Sequence, residues 1–327
     1  MVERIPLAQL PTPLEPLDRL SEAWGGPRIW AKRDDLTGFG LSGNKVRKIE
    51  FHAAAAVAAR ATTLITTGAE QSNHCRATAL AAAKIGLGCE LFLRTKDGAP
   101  PDSAKGNHLL HRLSGAAIHF ITPDEYRLRD DLMAERKAEL AAAGTTAWVI
   151  PEGASDYLGM LGFAVAGAEL AQQIETWQTQ PPVWHASSSG GTTAGLALSA
   201  AEAGHCFAVF GTSVGDTVAE LNGRLAAIWK ETTQHRTIPP NLVAPQLTDA
   251  YVGGGYALVD EAELECQLEA TRLTGLLFDP VYTGKAIYGL REEIRAGGFD
   301  GVTDVIFWHT GGGFGVFAHD FGFDNES

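Results

Sequence analysis

The sequence predicts an α/β protein of two domains, each an open, mainly parallel, twisted sheet flanked by helices. Three observations predict it. Short apolar runs alternate with Ala-rich helical stretches along nearly the whole chain. Those runs are continuously apolar rather than alternating, as expected of strands buried on both faces. Finally, 327 residues exceed one small domain, and about two is the usual partition.

The elements follow in order. Ile29-Trp30-Ala31-Lys32 reads as a strand and Asn44 to Arg60 as an Ala-rich helix. Thr63 to Thr66 is a strand, Ser72 to Ile85 a helix, and Cys89 to Leu93 a strand. A helix near Ala104 to Leu113, a strand at Ala117 to Ile121, a helix at Arg129 to Ala143 and a strand at Ala147 to Ile150 continue the alternation. The later part repeats it: helix Tyr157 to Ile174, strand Val183 to Ala186, helix Thr192 to Ala203, strand Cys206 to Phe210. Helices at Asp216 to Thr232, Ala262 to Thr274 and Lys285 to Ala296 precede a last buried strand, Val305 to Trp308. Pro/Gly punctuation at Pro151-Glu152-Gly153 marks a candidate junction. The expected division is a large domain of 1–47 plus 151–327 and a smaller one, 48–150, inserted into it.

Composition narrows the function classes. A net charge of −13 repels polyanions, so nucleic-acid binding through a basic face is not expected, although a local cationic pocket for one phosphate remains compatible. No apolar run approaches the length of a membrane span, and the start of the chain has prolines and charges where a secretory leader needs an apolar stretch. Cys75, Cys89, Cys206 and Cys266 are scattered and form no CxxC pair, which suggests reduced thiols in the cytoplasm and no metal site.

Five segments carry chemistry. Ser42-Gly43-Asn44-Lys45-Val46-Arg47-Lys48 lies between a loop and a helix, where a desolvated lysine can become a nucleophile; a lone GNK is otherwise an ordinary surface lysine. Gly68-Ala69-Glu70-Gln71-Ser72-Asn73-His74 joins a strand to a helix whose free N–H groups attract a carboxylate, though Ser and Asn there are also common caps. Ser187 to Gly195, with Ser189-Gly190-Gly191-Thr192-Thr193 at its centre, has the glycines and hydroxyls of a phosphate-binding turn. No lysine follows those glycines, so a cofactor phosphate suits it better than a nucleotide triphosphate. Asp279 to Lys285 and Trp308-His309-Thr310-Gly311-Gly312-Gly313 are also expected to follow apolar strands, and ligands collect at the carboxyl ends of parallel strands. Tyr256, after three glycines, is a weaker candidate, since a packed tyrosine is commoner.

These segments, with Leu10-Pro11-Thr12-Pro13-Leu14 and Lys32-Arg33-Asp34-Asp35, resemble the D-cysteine desulfhydrase and 1-aminocyclopropane-1-carboxylate (ACC) deaminase family. Its members are pyridoxal 5′-phosphate enzymes of fold type II, the tryptophan-synthase β superfamily. The resemblance spans nearly the whole chain. It implies that Lys45 carries the coenzyme and shuttles the α-proton, and that Asn73 bonds the coenzyme's 3′-oxygen. It further implies that Ser189, Gly190, Gly191, Thr192 and Thr193 hold the phosphate and that Asn44 belongs to the coenzyme shell. Thr310 would face the pyridine nitrogen, where a hydroxyl does not force protonation and so favours elimination. Ser72 and its neighbours Glu70, Gln71, Asn73 and His74 would form the substrate side, with Tyr256 and Tyr282 as acid–base or positioning groups. The coenzyme would lie in a cleft whose closure excludes water, in a cytoplasmic homodimer.

The implied activity is α,β-elimination from a small amino acid, D-cysteine first, giving pyruvate, ammonia and sulfide. An ACC deaminase, or a lyase or racemase for another amino acid, is the alternative; a non-catalytic pyridoxal-phosphate-binding protein is one of a different class. ACC deaminases resemble one another in a glutamate after the second tyrosine, where this chain has Thr283. Two further positions depart from the family: Ser42 replaces a usual glycine, and Glu70 a usual aliphatic residue. Glu70 either faces the substrate or is a helix-start charge, solvated or paired with Arg76; base rates for surface carboxylates favour the latter.

Overall fold

The computed structural model describes residues 3–321. Two sheets organise the chain. In order, the elements are β1 (Leu14–Pro16), α1 (Asp18–Trp24), β2 (Arg28–Arg33), α2 (Lys45–Ala58), β3 (Thr63–Ala69), α3 (Asn73–Ile85), β4 (Gly88–Arg94), α4 (Gly106–Leu113) and β5 (Ala117–Ile121). Then come α5 (Pro123–Arg127), α6 (Arg129–Ala142), β6 (Ala147–Val149), α7 (Tyr157–Gln173), β7 (Pro182–Ser187), α8 (Gly191–Glu202) and β8 (Ala208–Ser213). The chain continues through α9 (Val218–Thr232), β9 (Gln246–Thr248), α10 (Glu261–Thr274), α11 (Thr283–Arg295), β10 (Asp304–His309) and α12 (Gly313–Val316).

One sheet has six strands in the order β1-β2-β10-β7-β8-β9, the other four in the order β5-β4-β3-β6. All pairings are parallel except β1 with β2. The predicted α/β class with mainly parallel sheets is therefore what the chain adopts. Every residue of β7 is buried, which explains why such strands read as continuous apolar runs.

Local chemistry sets the boundaries. Thr217 with Glu220 and Asp260 with Glu263 form capping boxes, so α9 begins at Val218, two residues later than expected from Asp216. Strand β8 runs from Ala208 to Ser213, displaced towards its C-terminus from the expected Cys206 to Phe210. The strands β1 and β9, with three residues each, carry too little periodicity to be read from sequence. Helix α2 is sandwiched against α7, and α7 against α8. A β-carbon on Gly162 would lie 2.3 Å from the Arg47 carbonyl, and one on Gly195 2.4 Å from the Met160 carbonyl. Backbones thus pack directly under the segment that opens at Lys45.

A buried polar network locks the same region. Arg47 donates to Asp34 (2.8 and 2.9 Å) and to both oxygens of Glu169 (2.9 and 3.1 Å). Lys32 ion-pairs with Glu169 and donates to the Thr12 carbonyl at 2.7 Å. The Leu10–Leu14 and Lys32–Asp35 motifs therefore act through packing: they hold α2 against α7.

Candidate active site

The floor of the site is two loops in backbone contact. Gly43 N–H donates to the Asp34 carbonyl (2.8 Å) and Asn44 N–H to the Thr310 carbonyl (3.0 Å). Gly311 has φ +91°, and a β-carbon there would lie 2.5 Å from Gly43 Cα. Gly43 has φ +105°, and its β-carbon would lie 2.9 Å from the Thr310 oxygen. The turn before Lys45 is thus pinned to the end of β10. Lys45 opens α2 half-buried, and burial pushes its ammonium down to about 8, with Glu152 and Cys75 opposing. Among the described residues no hydrogen bond or ion pair holds Lys45 Nζ.

Opposite stands the turn from β7 to α8. Gly190 is left-handed (φ +88°), and the first bond of the α8 ladder is Ala194 N–H to the Gly190 carbonyl (2.9 Å). The N–H groups of Thr192 and Thr193 precede it, and Gly191 N–H donates to Ser155 Oγ at 3.3 Å. Asn44 Nδ2 donates to Thr192 Oγ1 (3.1 Å), and Ser189 Oγ lies 2.6 Å from Ser155 Oγ. Asn44, Lys45, Asn73, Ser189, Gly190, Thr192, Thr193, Tyr282 and Thr310 line one chamber with about 430 Å³ of empty space.

The start of α3 forms the third wall. Ser72 caps it by accepting from Cys75 N–H (3.1 Å), and the ladder begins with Arg76 N–H to the Ser72 carbonyl (3.1 Å). The N–H groups of Asn73 and His74 come before that bond, where an anion is favoured. Asn107 fixes the turn, donating from Nδ2 to Asn73 Oδ1 (3.0 Å) and to the Gln71 carbonyl (3.0 Å). His74 turns its ring into the wall. Thr66 Oγ1 donates to the Ile150 carbonyl (2.8 Å), so it accepts from His74 Nε2–H (2.7 Å). Burial holds His74 well below its ordinary range, hence neutral.

Tyr256 and Tyr282 meet at the mouth, oxygen to oxygen at 2.6 Å. Burial pushes Tyr256 up to about 12 and Tyr282 well above its ordinary value, so both hydroxyls keep their protons at neutral pH. Asp279 positions Tyr282 by accepting from its N–H (3.0 Å) and from Thr283 N–H (2.9 Å) and Oγ1 (2.8 Å).

Glu70 does not pair with Arg76. Its Oε1 accepts from Gln71 Nε2 (3.1 Å), and the carboxylate lines an outer chamber together with Gln71, Arg94, Lys96, Tyr256 and Tyr282. Arg76 is buried elsewhere: it donates to the Gly40 carbonyl (3.0 Å) and to Ser42 Oγ (3.3 Å) and O (2.7 Å). The Ser42 hydroxyl thus supplies that arginine with one acceptor beyond the backbone carbonyls. One residue was not singled out in sequence. Lys48, one turn after Lys45, donates to Ser155 Oγ (3.1 Å) and the Gly153 carbonyl (3.2 Å), and a β-carbon on Gly191 would lie 2.8 Å from its Nζ. The spacing of three residues from Lys45 on one helix face was its only sequence signal.

Fold and site together define an α/β enzyme of the kind that sets a poised lysine against an anion-binding turn at the ends of parallel strands. The sequence profile of the family described as pyridoxal-phosphate dependent enzyme matches residues 5–311, and the chain belongs to that family. It is 37% identical over 318 residues to D-cysteine desulfhydrases of Salmonella paratyphi A and Salmonella newport, covering 97% of this chain and 96% of each of theirs. The crystal structure of an ACC deaminase homologue superposes with a TM-score of 0.86 at 33% identity, covering 97% and 94% of the two chains. A T.th. threonine deaminase, at 19% identity and a TM-score of 0.65, shares the fold, with 92% of each chain covered. The cofactor is pyridoxal phosphate. The residues fit it: the α8 turn presents N–H groups ahead of the first ladder bond, with the Lys48 side-chain nitrogen beside it, and an unpaired, deprotonation-prone amine shares its chamber.

Proposed function

We propose that this enzyme is a lyase that eliminates the β-substituent of a small amino acid, D-cysteine first, releasing pyruvate, ammonia and sulfide. The observation that carries this reading is Lys45: an unpaired amine, pushed down to about 8, in the chamber shared by the α8 turn and the α3 start. When bound, the coenzyme supplies an electron sink conjugated to the substrate nitrogen. Lys45 would hold it, with Ser189, Gly190, Gly191, Thr192, Thr193 and Lys48 placed to hold its phosphate, Asn44 in support, and Asn73 and Thr310 placed to bond its ring. The N–H groups of Asn73 and His74, with Ser72, bind the substrate carboxylate. Lys45 Nζ takes the α-proton as the β-substituent departs, and the released enamine adds water to give pyruvate and ammonia; at pH 8 about half of Lys45 is neutral. The tyrosine pair holds a proton for the departing group.

The 37% identity to D-cysteine desulfhydrases supports the substrate. Thr283 argues against the ACC reading: it is fully buried and its hydroxyl is spent on Asp279, so no carboxylate follows Tyr282 into the cleft. Pyruvate from D-cysteine and no 2-oxobutanoate from ACC is the expected assay result. The reverse would transfer the assignment to a deaminase, and product from no amino acid would leave a coenzyme-binding protein.

The predicted division into 1–47 with 151–327 and 48–150 is supported by the smaller sheet, whose strands all fall between Thr63 and Val149. A homodimer is supported by the exposed apolar side chains of Phe39, Leu113 and Phe317, near the contact of α12 with α4. Four unpaired cysteines and the lack, among the described residues, of a helix long and apolar enough to cross a membrane accord with a cytoplasmic place.

A further inference from the structure

Among the described residues, one arginine of the cleft has no carboxylate partner. Arg224 is paired with Asp216 (2.6 Å) and Arg129 with Glu152 (3.1 Å). Arg94, the last residue of β4, lines the cleft it shares with Lys45, Ser72, Tyr256 and Tyr282, and no carboxylate oxygen among the described residues lies within 4 Å of it. Its guanidinium is held instead by stacking, 4.8 Å from the centre of the Tyr126 ring. That ring is itself fixed: Arg129 covers it at 5.0 Å, and its hydroxyl donates to Glu152 at 2.5 Å. The result is a half-buried, oriented fork of N–H donors facing the cleft, the arrangement that recognises a carboxylate or phosphate-like group.

Glu70 does not neutralise it there. It lines only the outer chamber, with one oxygen held by Gln71, whose amide also donates to the Lys105 carbonyl (3.2 Å). Nor is Arg94 needed for the substrate α-carboxylate, which has the N–H groups at the start of α3. We infer that Arg94 extends the site beyond D-cysteine to amino acids carrying a second anionic group on the carbon next to the α-carbon, with Arg94 binding that group. This rests on the proposed reading of the site, in which the α-carboxylate sits at α3.

The test is calorimetric binding to the holoenzyme of molecules that lack the reacting amine: succinate and 3-phosphonopropanoate against butanoate. In parallel, elimination is measured with neutral β-chloro-D-alanine. The wild type is expected to bind the two dianions about tenfold or more tightly than butanoate. Arg94→Gln should remove that preference while leaving butanoate affinity and β-chloro-D-alanine elimination unchanged; Arg94→Lys should keep part of it. Equal binding of all three by the wild type overturns the inference, as does an Arg94→Gln loss shared by butanoate, which would place Arg94 on the α-carboxylate. In both cases elimination from β-chloro-D-alanine persists and the underlying reading stands. Loss of binding together with no elimination from any amino acid overturns both.

Discussion

The hydroxyls of Tyr256 and Tyr282 face each other at 2.6 Å, one bond closing the cleft mouth between a glycine-rich loop and the start of α11. Both keep their protons at neutral pH, so one proton lies between the oxygens and the other is available to the cleft. Tyr282 is the better held, its N–H on Asp279, whereas Tyr256 is 37% exposed. Tyr282→Phe should lower kcat for D-cysteine by about a hundredfold and Tyr256→Phe by less. The double variant should be little worse than Tyr282→Phe, because the hydroxyls share one bond. Steady-state kinetics of the three variants checks this; full additivity would mean the two act separately.

Glu169 makes stability depend on acid. Burial pushes its carboxyl up, but Arg47 and Lys32 outweigh that and bring it down to about 2. A carboxyl depressed in the folded state contributes stability that is present above its unfolded value, near 4.5, and is lost as pH falls towards 2. Thermal melts of the wild type should therefore be flat from this group at pH 6 to 7 and decline below pH about 4.5. Glu169→Gln should melt lower at pH 7 and show a shallower decline.

Arg47→Met leaves Asp34 buried with no cationic partner, since Arg47 supplies both of its charged contacts. A buried carboxylate stripped of its partner costs about 3–5 kcal/mol. Urea denaturation is expected to show a loss of that size. Arg47→Lys should recover only part of it, because Lys cannot reproduce the fork that spans Asp34 and Glu169.

Gly311→Ala attacks the floor of the site without touching a charged group. The added carbon would sit 2.5 Å from Gly43 Cα, and the backbone at φ +91° disfavours any side chain. The turn before Lys45 must shift, so coenzyme affinity should drop about tenfold or more, read by absorbance titration of the apoprotein. An unchanged affinity would show that the two loops are not rigidly coupled.

Much of this was legible in the sequence. Long helices and the buried strands show in hydrophobic periodicity, and the turns that open α3 and α8 and the glycines after β10 follow strands that could be read as apolar runs, whereas the Asp279–Tyr282 segment follows α10 with no strand between them. Boundaries shifted where side chains decide them, as with the Thr217–Glu220 box that delays α9. What stayed hidden was partnership across distance. Asn107 fixes Asn73 from 34 residues away, and Glu169 meets Arg47 from 122. Arg94 gained meaning only when every other arginine of the cleft was found paired. Of the surroundings open to Glu70, the pair with Arg76 does not form: Arg76 is drawn to the carbonyls of Gly40 and Ser42, a contact that no helical spacing announces.

The central claim is that Lys45 is the amine that carries the coenzyme. Borohydride reduction of the holoenzyme followed by peptide mapping tests it directly. The expected result is a single reduced pyridoxyl adduct on the peptide containing Lys45, absent in Lys45→Ala. An adduct on Lys48 or any other lysine, or none at all, would contradict it.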